Sequence, residues 1–400
     1  MKKVLIATDI PFWLREKGNQ QRIFELVDYL ASVFETEVFY FGLTPPELDL
    51  PCRLHAASPP LIARLVQAVR QCLPYGFGLR CIAALNRLGY TRDMAQAGNP
   101  CAARRFAHVM DQGAYDVVIV EYVRNTFLLD GLDKAKPVTI LDTHDIFSLR
   151  TECYKMYGRV PDRSISREDE YRLMGRYHWI MAIQEAEATL LGRHFEGRVL
   201  LCMHPHRPDG GRESAVRTGG DGADKLRLVF FSSYGDLNVD ALQWFVGNVW
   251  DESLRQRYIL DVYGTICRGI SLKVPGVRLR GPVRTVDEAY AEADVVINPL
   301  RFGSGLKVKS VEAVAWGLPL VTTSVGAEGL VEGAGTFLFL ADTAGDMRAV
   351  LKRLTDPELR RSACRAARIF ADRRLTPEAC FRDLRRVIKG DPDPVRTGDD

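Results

Sequence analysis

Residues 298–330 read NPLRFGSGLKVKSVEAVAWGLPLVTTSVGAEGL. The apolar run from Asp294 to Pro299 predicts a strand, Gly303 and Gly305 follow in a loop, and Lys307, Lys309 and Glu312 fall on the helix after it. Gly317-Leu318-Pro319 stops that helix ahead of a second strand. A βαβ unit with glycines at its strand-to-helix turn suits an anion. Glycine lets the backbone approach a ligand closely, and the helix start offers unpaired N–H groups and the positive end of its dipole. Lys307 and Lys309 add cationic heads near that end, whereas the Glu312 carboxylate suits hydroxyl groups better than phosphate. The pattern fits a nucleoside diphosphate whose ribose diol faces Glu312.

Outward from this segment, a series of alternating elements is predicted: strand Leu226 to Ser232, helix Val239 to Val249, strand Tyr258 to Tyr263, a strand around Val277 to Arg280, and strand Val295 to Pro299. An earlier series opens with strand Val4 to Thr8, a loop through Gly18, a helix whose Ile23, Leu26, Val27 and Leu30 recur at helical spacing, and strand Glu37 to Gly42. Further strands are expected at Asp116 to Glu121, Val138 to Asp142, His178 to Ala182 and Arg198 to Met203. Such alternation implies doubly wound α/β domains. Residues 206–224 hold many glycines and almost no large apolar side chain, which marks a flexible linker between a first domain (1–205) and a second (225–376). Pro357 to Lys389 reads as helical and arginine-rich, and 390–400 as a short disordered tail.

The chain of 400 residues is longer than one ordinary domain, so two of roughly 200 are expected. With 46% hydrophobic and 26% charged residues it reads as globular, and a net charge of +3 is too weak a bias to imply nucleic acid. No stretch approaches the roughly 18 apolar residues that span a bilayer, and Asp9 ends the first apolar run too early for a signal peptide, so a cytosolic chain is expected. Nine cysteines without a repeated CxxC fit reduced thiols. Cys202, His204 and His206 form the nearest metal-like grouping, read here as structural or solvated. Neither a metal nor another cofactor is expected.

Two longer motifs carry a family resemblance. Glu312-Ala313-Val314-Ala315-Trp316-Gly317-Leu318-Pro319, continued by Gly326-Ala327-Glu328-Gly329-Leu330, resembles the donor-binding signature of GT-B glycosyltransferases of the family 4 type, the glycosyl transferases group 1. Phe230-Phe231-Ser232-Ser233-Tyr234-Gly235-Asp236-Leu237-Asn238-Val239-Asp240-Ala241-Leu242 resembles the same family's strand-to-helix entry. The family often has a second glutamate eight residues before the one matched by Glu312, and here that position is Ser304, as in a subgroup with Gly-Ser-Gly-hydrophobic-Lys. The resemblance implies the GT-B fold, two Rossmann-like domains facing a central cleft, the first for acceptor and the second for donor. It places a helix at 377–389 that crosses back to the first domain. It implies a retaining transfer of sugar from a nucleoside diphosphate sugar to a hydroxyl, without metal. The acceptor is a glycan, a lipid-linked glycan or a small molecule. A GT-B epimerase, an inverting transferase and a non-catalytic nucleotide-sugar-binding subunit are the alternatives.

On this reading Ser232, Ser233, Gly303, Ser304, Gly305, Leu306, Lys307 and Glu312 bind the donor. Asn238 is expected to cap its helix. The family's arginine and lysine after the first donor-domain strand are missing between Phe230 and Asp236, so Lys307 is expected to neutralise the diphosphate, with Arg301 second. Lys309, roughly 200° round the helix from Lys307, is read as a surface charge. In the first domain Gly18-Asn19-Gln20-Gln21-Arg22 resembles the family's glycine loop, Asn19 standing for a second glycine in a turn of positive φ. Asp142-Thr143-His144-Asp145 ends a strand, where open α/β sheets bind ligands, and resembles the family's acceptor-side segment. His144 is the catalytic candidate with Asp145 orienting its ring, and Glu121 and Arg150 complete the acceptor side. Residues 59–94 alternate apolar groups with Arg64 and Arg70, a helix for core packing or for peripheral association with the inner face of a membrane. Asp391 and Asp393 are read as solvated tail charges rather than a metal motif.

Overall fold

The computed structural model describes residues 1–15, 17–42, 50–56, 93–96, 98–130, 132, 137–161, 163–206 and 225–391. They divide into two units, Met1–Met203 with Phe381–Asp400, and His204–Cys380. The first unit is built from β1 (Lys3–Thr8), α1 (Gly18–Val33), β2 (Glu35–Tyr40), β3 (Arg53–Ala56), α2 (Pro100–Gln112), β4 (Val117–Glu121), β5 (Val138–Asp142), α3 (Phe147–Met156), α4 (Arg167–Met174), β6 (Trp179–Ala182), α5 (Glu185–Gly192) and β7 (Val199–Leu201). Its seven strands run in the order β3-β2-β1-β4-β5-β6-β7, and every neighbouring pair is parallel. Central strands of an all-parallel sheet are covered on both faces and so read as unbroken apolar runs. Val4 to Ala7 and Val118 to Val120 are accordingly without solvent contact. Ile23, Leu26, Val27 and Leu30 of α1 are equally buried, as their spacing predicts. β3 is a short, half-exposed edge strand with no apolar run to announce it.

The second unit contains β8 (Leu226–Phe231), α6 (Asp236–Asn248), α7 (Glu252–Arg255), β9 (Tyr258–Tyr263), β10 (Val277–Gly281), α8 (Val286–Tyr290), β11 (Val295–Asn298), α9 (Val308–Ala315), β12 (Leu320–Thr322), β13 (Leu338–Leu340), α10 (Ala344–Arg353), α11 (Pro357–Arg374) and α12 (Pro377–Cys380). Its six strands lie in the order β10-β9-β8-β11-β12-β13, again all parallel. The tail expected as one helical stretch is three: α11 and α12, then α13 (Arg382–Lys389), which is grouped with the first unit and packs against β7.

In each sheet the chain first moves outward from a central strand and then returns to build the other side. The switch lies between β1 and β4 in the first unit and between β8 and β11 in the second. Side chains at these strands' carboxyl ends are therefore the ones a ligand meets.

Among the described residues no helix is long and apolar enough to cross a membrane, and no disulfide joins the described cysteines. The basic segment 59–94 and the linker 206–224 lie almost wholly outside the described residues, as does Asp393.

One polar cluster ties the edge of the first sheet. Glu37 on β2 accepts from the Tyr115 hydroxyl at 2.6 Å, meets His55 Nε2 at 2.6 Å and pairs with Lys3 Nζ at 2.9 Å. Burial alone would raise the carboxyl's pKa, but these three partners outweigh it and bring it down to about 2. A carboxylate whose folded pKa is lowered contributes stability above its unfolded value of 4.5, and the contribution fades as pH falls towards 2. Glu37→Gln is expected to lose about 1–3 kcal/mol at pH 7. Thermal unfolding of both proteins from pH 7 to pH 3 should show their difference shrinking on acidification.

Candidate functional site

In the second unit Ser232 directly follows β8 and Asn298 ends β11, two buried polar residues at the switch point. Asn298 Nδ2 donates to Ser310 Oγ at 2.7 Å, and Ser310 Oγ donates to the Gly326 carbonyl at 2.8 Å. Thr322 Oγ1, at the end of β12, donates to the Asn298 carbonyl at 2.7 Å. These bonds fix α9, which carries Ser310, against both strand ends. Gly326 makes the approach possible, since a Cβ there would stand 2.1 Å from Thr322 Oγ1 and 2.7 Å from the Asn298 carbonyl oxygen.

The loop between β11 and α9 turns through Gly303 (φ 130°) and Gly305 (φ 75°), conformations that strain any other residue. Gly303, Gly305, Leu306 and Lys307 are buried and Ser304 is partly exposed. Lys307 caps α9 in an extended conformation instead of lying on it. Its ammonium donates to the Gly305 carbonyl and pairs with Glu328 Oε2 at 2.8 Å, which closes the loop on itself. Arg301 is held by Asp240 through two bonds of 2.9 and 2.7 Å.

Lys309 departs from its expected place. It is half-buried, not a surface charge: Nζ donates to Ser232 Oγ at 3.1 Å and to Asn238 Oδ1, and stands 5.5 Å from the centre of the Phe230 ring. Burial and the Lys307 charge bring its pKa down to about 7, against the pull of Glu312. Asn238 is likewise no cap. α6 begins at Asp236 after Gly235, so Asn238 lies in the first turn, where its Nδ2 donates to the Ser233 carbonyl at 2.9 Å. Glu312 is buried on α9 one turn beyond Lys309. The second unit thus brings together the chosen Ser232, Ser233, glycine loop and Glu312, and adds Lys309 and Asn238.

In the first unit Glu121 and Asp142 are register partners at the ends of β4 and β5. Arg22, on α1, clasps Asp142 with two bonds of 2.9 Å and donates to the Met203 carbonyl at 3.1 Å, all of it buried. His144 Nε2 meets Glu121 Oε2, and the ring stacks on Tyr122 with centroids 4.1 Å apart. Tyr122 and His144 both take positive φ, 68° and 58°, which turns the two rings face to face just past their strands. Burial, reinforced by the Asp142 charge, raises the Glu121 pKa, while Asp142, equally buried, is held low by Arg22.

The carboxylate that holds the His144 ring is Glu121, in the place expected of Asp145. Arg150 lies over the rings of Phe147 and Tyr154 at 5.9 and 5.5 Å. Gly18 and Asn19 do not make a turn of positive φ. Gln20 accepts from the Lys17 amide at 3.0 Å, so α1 starts at Gly18, and the left-handed residue is Arg15. Among the described residues the grouping with spacing for a metal is Glu121, Asp142 and His144, not Cys202 with His204 and His206. Both oxygens of Asp142 already face the Arg22 guanidinium, a donor set made for an internal cation.

Gly326→Ala should cost about 1–3 kcal/mol through overpacking, read as a lower unfolding midpoint, and should weaken any ligand held at the start of α9. A midpoint equal to that of the unsubstituted chain would show that α9 does not need this close approach.

Residues 225–356 match the family model described as glycosyl transferases group 1. No curated protein matches the chain. Solved structures with the same fold include sucrose-phosphate synthase from Thermosynechococcus elongatus (12% identity, TM-score 0.66, covering 98% of this chain and 99% of that one). HepE of Anabaena, in complex with UDP and glucose, is similar at 13% identity and TM-score 0.61 over 97% of this chain and 100% of its own. WaaG, a glycosyltransferase involved in lipopolysaccharide biosynthesis, is similar at 16% identity and TM-score 0.60 over 97% and 100%. Two parallel Rossmann-like sheets and these matches give the chain the GT-B fold, and the segment similar to glycosyl transferases group 1 lies in the second unit.

Proposed function

We propose that the chain is a retaining glycosyltransferase that moves a sugar from a nucleoside diphosphate sugar to an acceptor hydroxyl in glycan biosynthesis. The observation that carries this reading is the start of α9. There the glycine loop, Ser232 just past β8 and buried Glu312 stand by the adjacent ends of β8 and β11, inside the matched family segment. Backbone amides of Gly303 to Gly305 and the hydroxyls of Ser232 and Ser233 would hold the diphosphate. Such donors stabilise charge on a leaving phosphate without reorganising as it develops. Glu312 would accept from the ribose hydroxyls.

HepE, solved with UDP and glucose, supports a nucleotide-sugar donor, and WaaG supports a glycan product. In the first unit the Glu121–His144 pair would position the acceptor hydroxyl, with Glu121 holding the ring. In a front-face transfer the leaving phosphate takes the acceptor's proton, so His144 assists and no protein nucleophile is required. Donor and transfer on this reading need no metal.

Thermal unfolding with UDP, GDP, ADP, dTDP and CMP in turn tests the donor site. A ligand that binds only the folded chain stabilises it by about 2.7 kcal/mol at roughly 100 times its Kd. One nucleotide is expected to raise the midpoint in a concentration-dependent way, and Glu312→Ala to abolish the rise. No rise with any of them would overturn the reading in favour of a structural role.

A further inference from the structure

We propose that Lys309, and not Lys307, is the cation that meets the donor's diphosphate, and that it takes up a proton from solution as the anion enters. The inference rests on the donor-site reading above and says how that site is charged. Arg301, Lys307 and Lys309 are the cations of the loop after β11 and of the first turn of α9. Lys307 is bound to Glu328 and to its own loop, and Arg301 is clasped by Asp240, so each already faces a carboxylate. The hydrogen-bond partners of Lys309 are neutral oxygens, those of Ser232 and Asn238. It crosses from α9 to the end of β8 and reaches the place where the chain lacks the cationic pair described above.

The surroundings explain why such a lysine waits uncharged. β8 contributes Phe230 and Ser232, α6 contributes Asn238, and α8 contributes Tyr290, whose hydroxyl donates to the Lys309 carbonyl at 3.2 Å. The charged groups about it are Lys307 at the cap, Glu312 one turn along α9, and the Asp240–Arg301 pair on the α6 side. Lys307 opposes a second ammonium and Glu312 favours one, and burial tips the balance to a pKa of about 7, so that the amine is mostly neutral by pH 8. A diphosphate at the start of α9 adds negative charge beside Nζ and reverses that balance. The amine then binds one proton from buffer, no covalent bond changes, and the ammonium donates to phosphate oxygens. Linkage requires that nucleotide affinity fall as pH rises above the empty-site pKa, because each binding event must then draw a proton from a scarcer supply.

Titration calorimetry of the full chain at pH 8 tests this, with UDP, GDP, ADP and dTDP as ligands, in Tris and in HEPES, whose ionisation heats differ. Close to one proton is expected to be taken up per nucleotide bound, and Kd should weaken about tenfold per pH unit between pH 7.5 and 9. In Lys309→Arg the guanidinium is always charged, so binding should persist with uptake near zero and a flat pH profile. Lys307→Met removes a charge that lowers the Lys309 pKa, so nucleotide should still bind and the uptake should move to higher pH than in the unsubstituted chain. Nucleotide binding by the unsubstituted chain without proton uptake would overturn the inference and leave the donor site standing, as would uptake unchanged in Lys309→Arg. Binding of none of the four nucleotides would overturn both.

Discussion

The second unit depends on how α9 is held against its sheet. A parallel strand that ends inside a protein leaves polar groups with no further strand to satisfy them, and a buried group left unsatisfied costs about as much as a lost hydrogen bond. Here the side-chain amide and the carbonyl at the end of β11 find partners on the helix it leads into and on β12: Asn298 Nδ2 donates to Ser310, Ser310 donates to Gly326, and Thr322 donates back to the Asn298 carbonyl. That ring sets the rotation of α9. With Ser310 facing the strands, Lys309 is carried towards the end of β8 and Glu312 into the interior. The glycine loop closes above them, clamped by Lys307 and Glu328.

The first unit applies the same constraint with charged groups. β4 and β5 end side by side in two carboxylates, and two buried like charges in register cannot both be left bare. Arg22 arrives from α1 to neutralise Asp142, and His144 Nε2 meets Glu121. The positive φ at Tyr122 and His144 is the backbone strain that this arrangement demands, and the stacked rings occupy the space it creates. The helix that follows is fixed in turn, for Glu170 accepts the Phe147 and Ser148 amides at 2.8 and 2.9 Å and so caps the start of α3.

Much of this was legible in the sequence, for reasons that are physical. Parallel strands covered on both faces must be apolar throughout, so Val4 to Ala7 and Val118 to Val120 announce themselves, and the 3.6-residue period of α1 names its buried face. The direction of Lys309 was not legible. The angle between the two lysines assumes that both lie on a helix, and Lys307 is an extended cap with φ −89° and ψ 94°, outside the helical wheel. Asn238 misled in the same way, because α6 begins three residues before the apolar pattern starts and converts a cap into a first-turn residue. The Glu121–His144 pair is hidden for another reason. Its members are 23 residues apart, and only the strand order, with β4 beside β5, brings them together. β3 and β13, of four and three residues, are too short to show any pattern.

The most direct measurement is a crystal structure of the chain grown with the nucleoside diphosphate that stabilises it. The account predicts phosphate oxygens within hydrogen-bond reach of Ser232 Oγ, Lys309 Nζ and the amides of Gly303 to Gly305, with the ribose hydroxyls on Glu312. A nucleotide bound away from the start of α9, or one whose ribose faces away from Glu312 while its phosphates rest on Lys307, would contradict it.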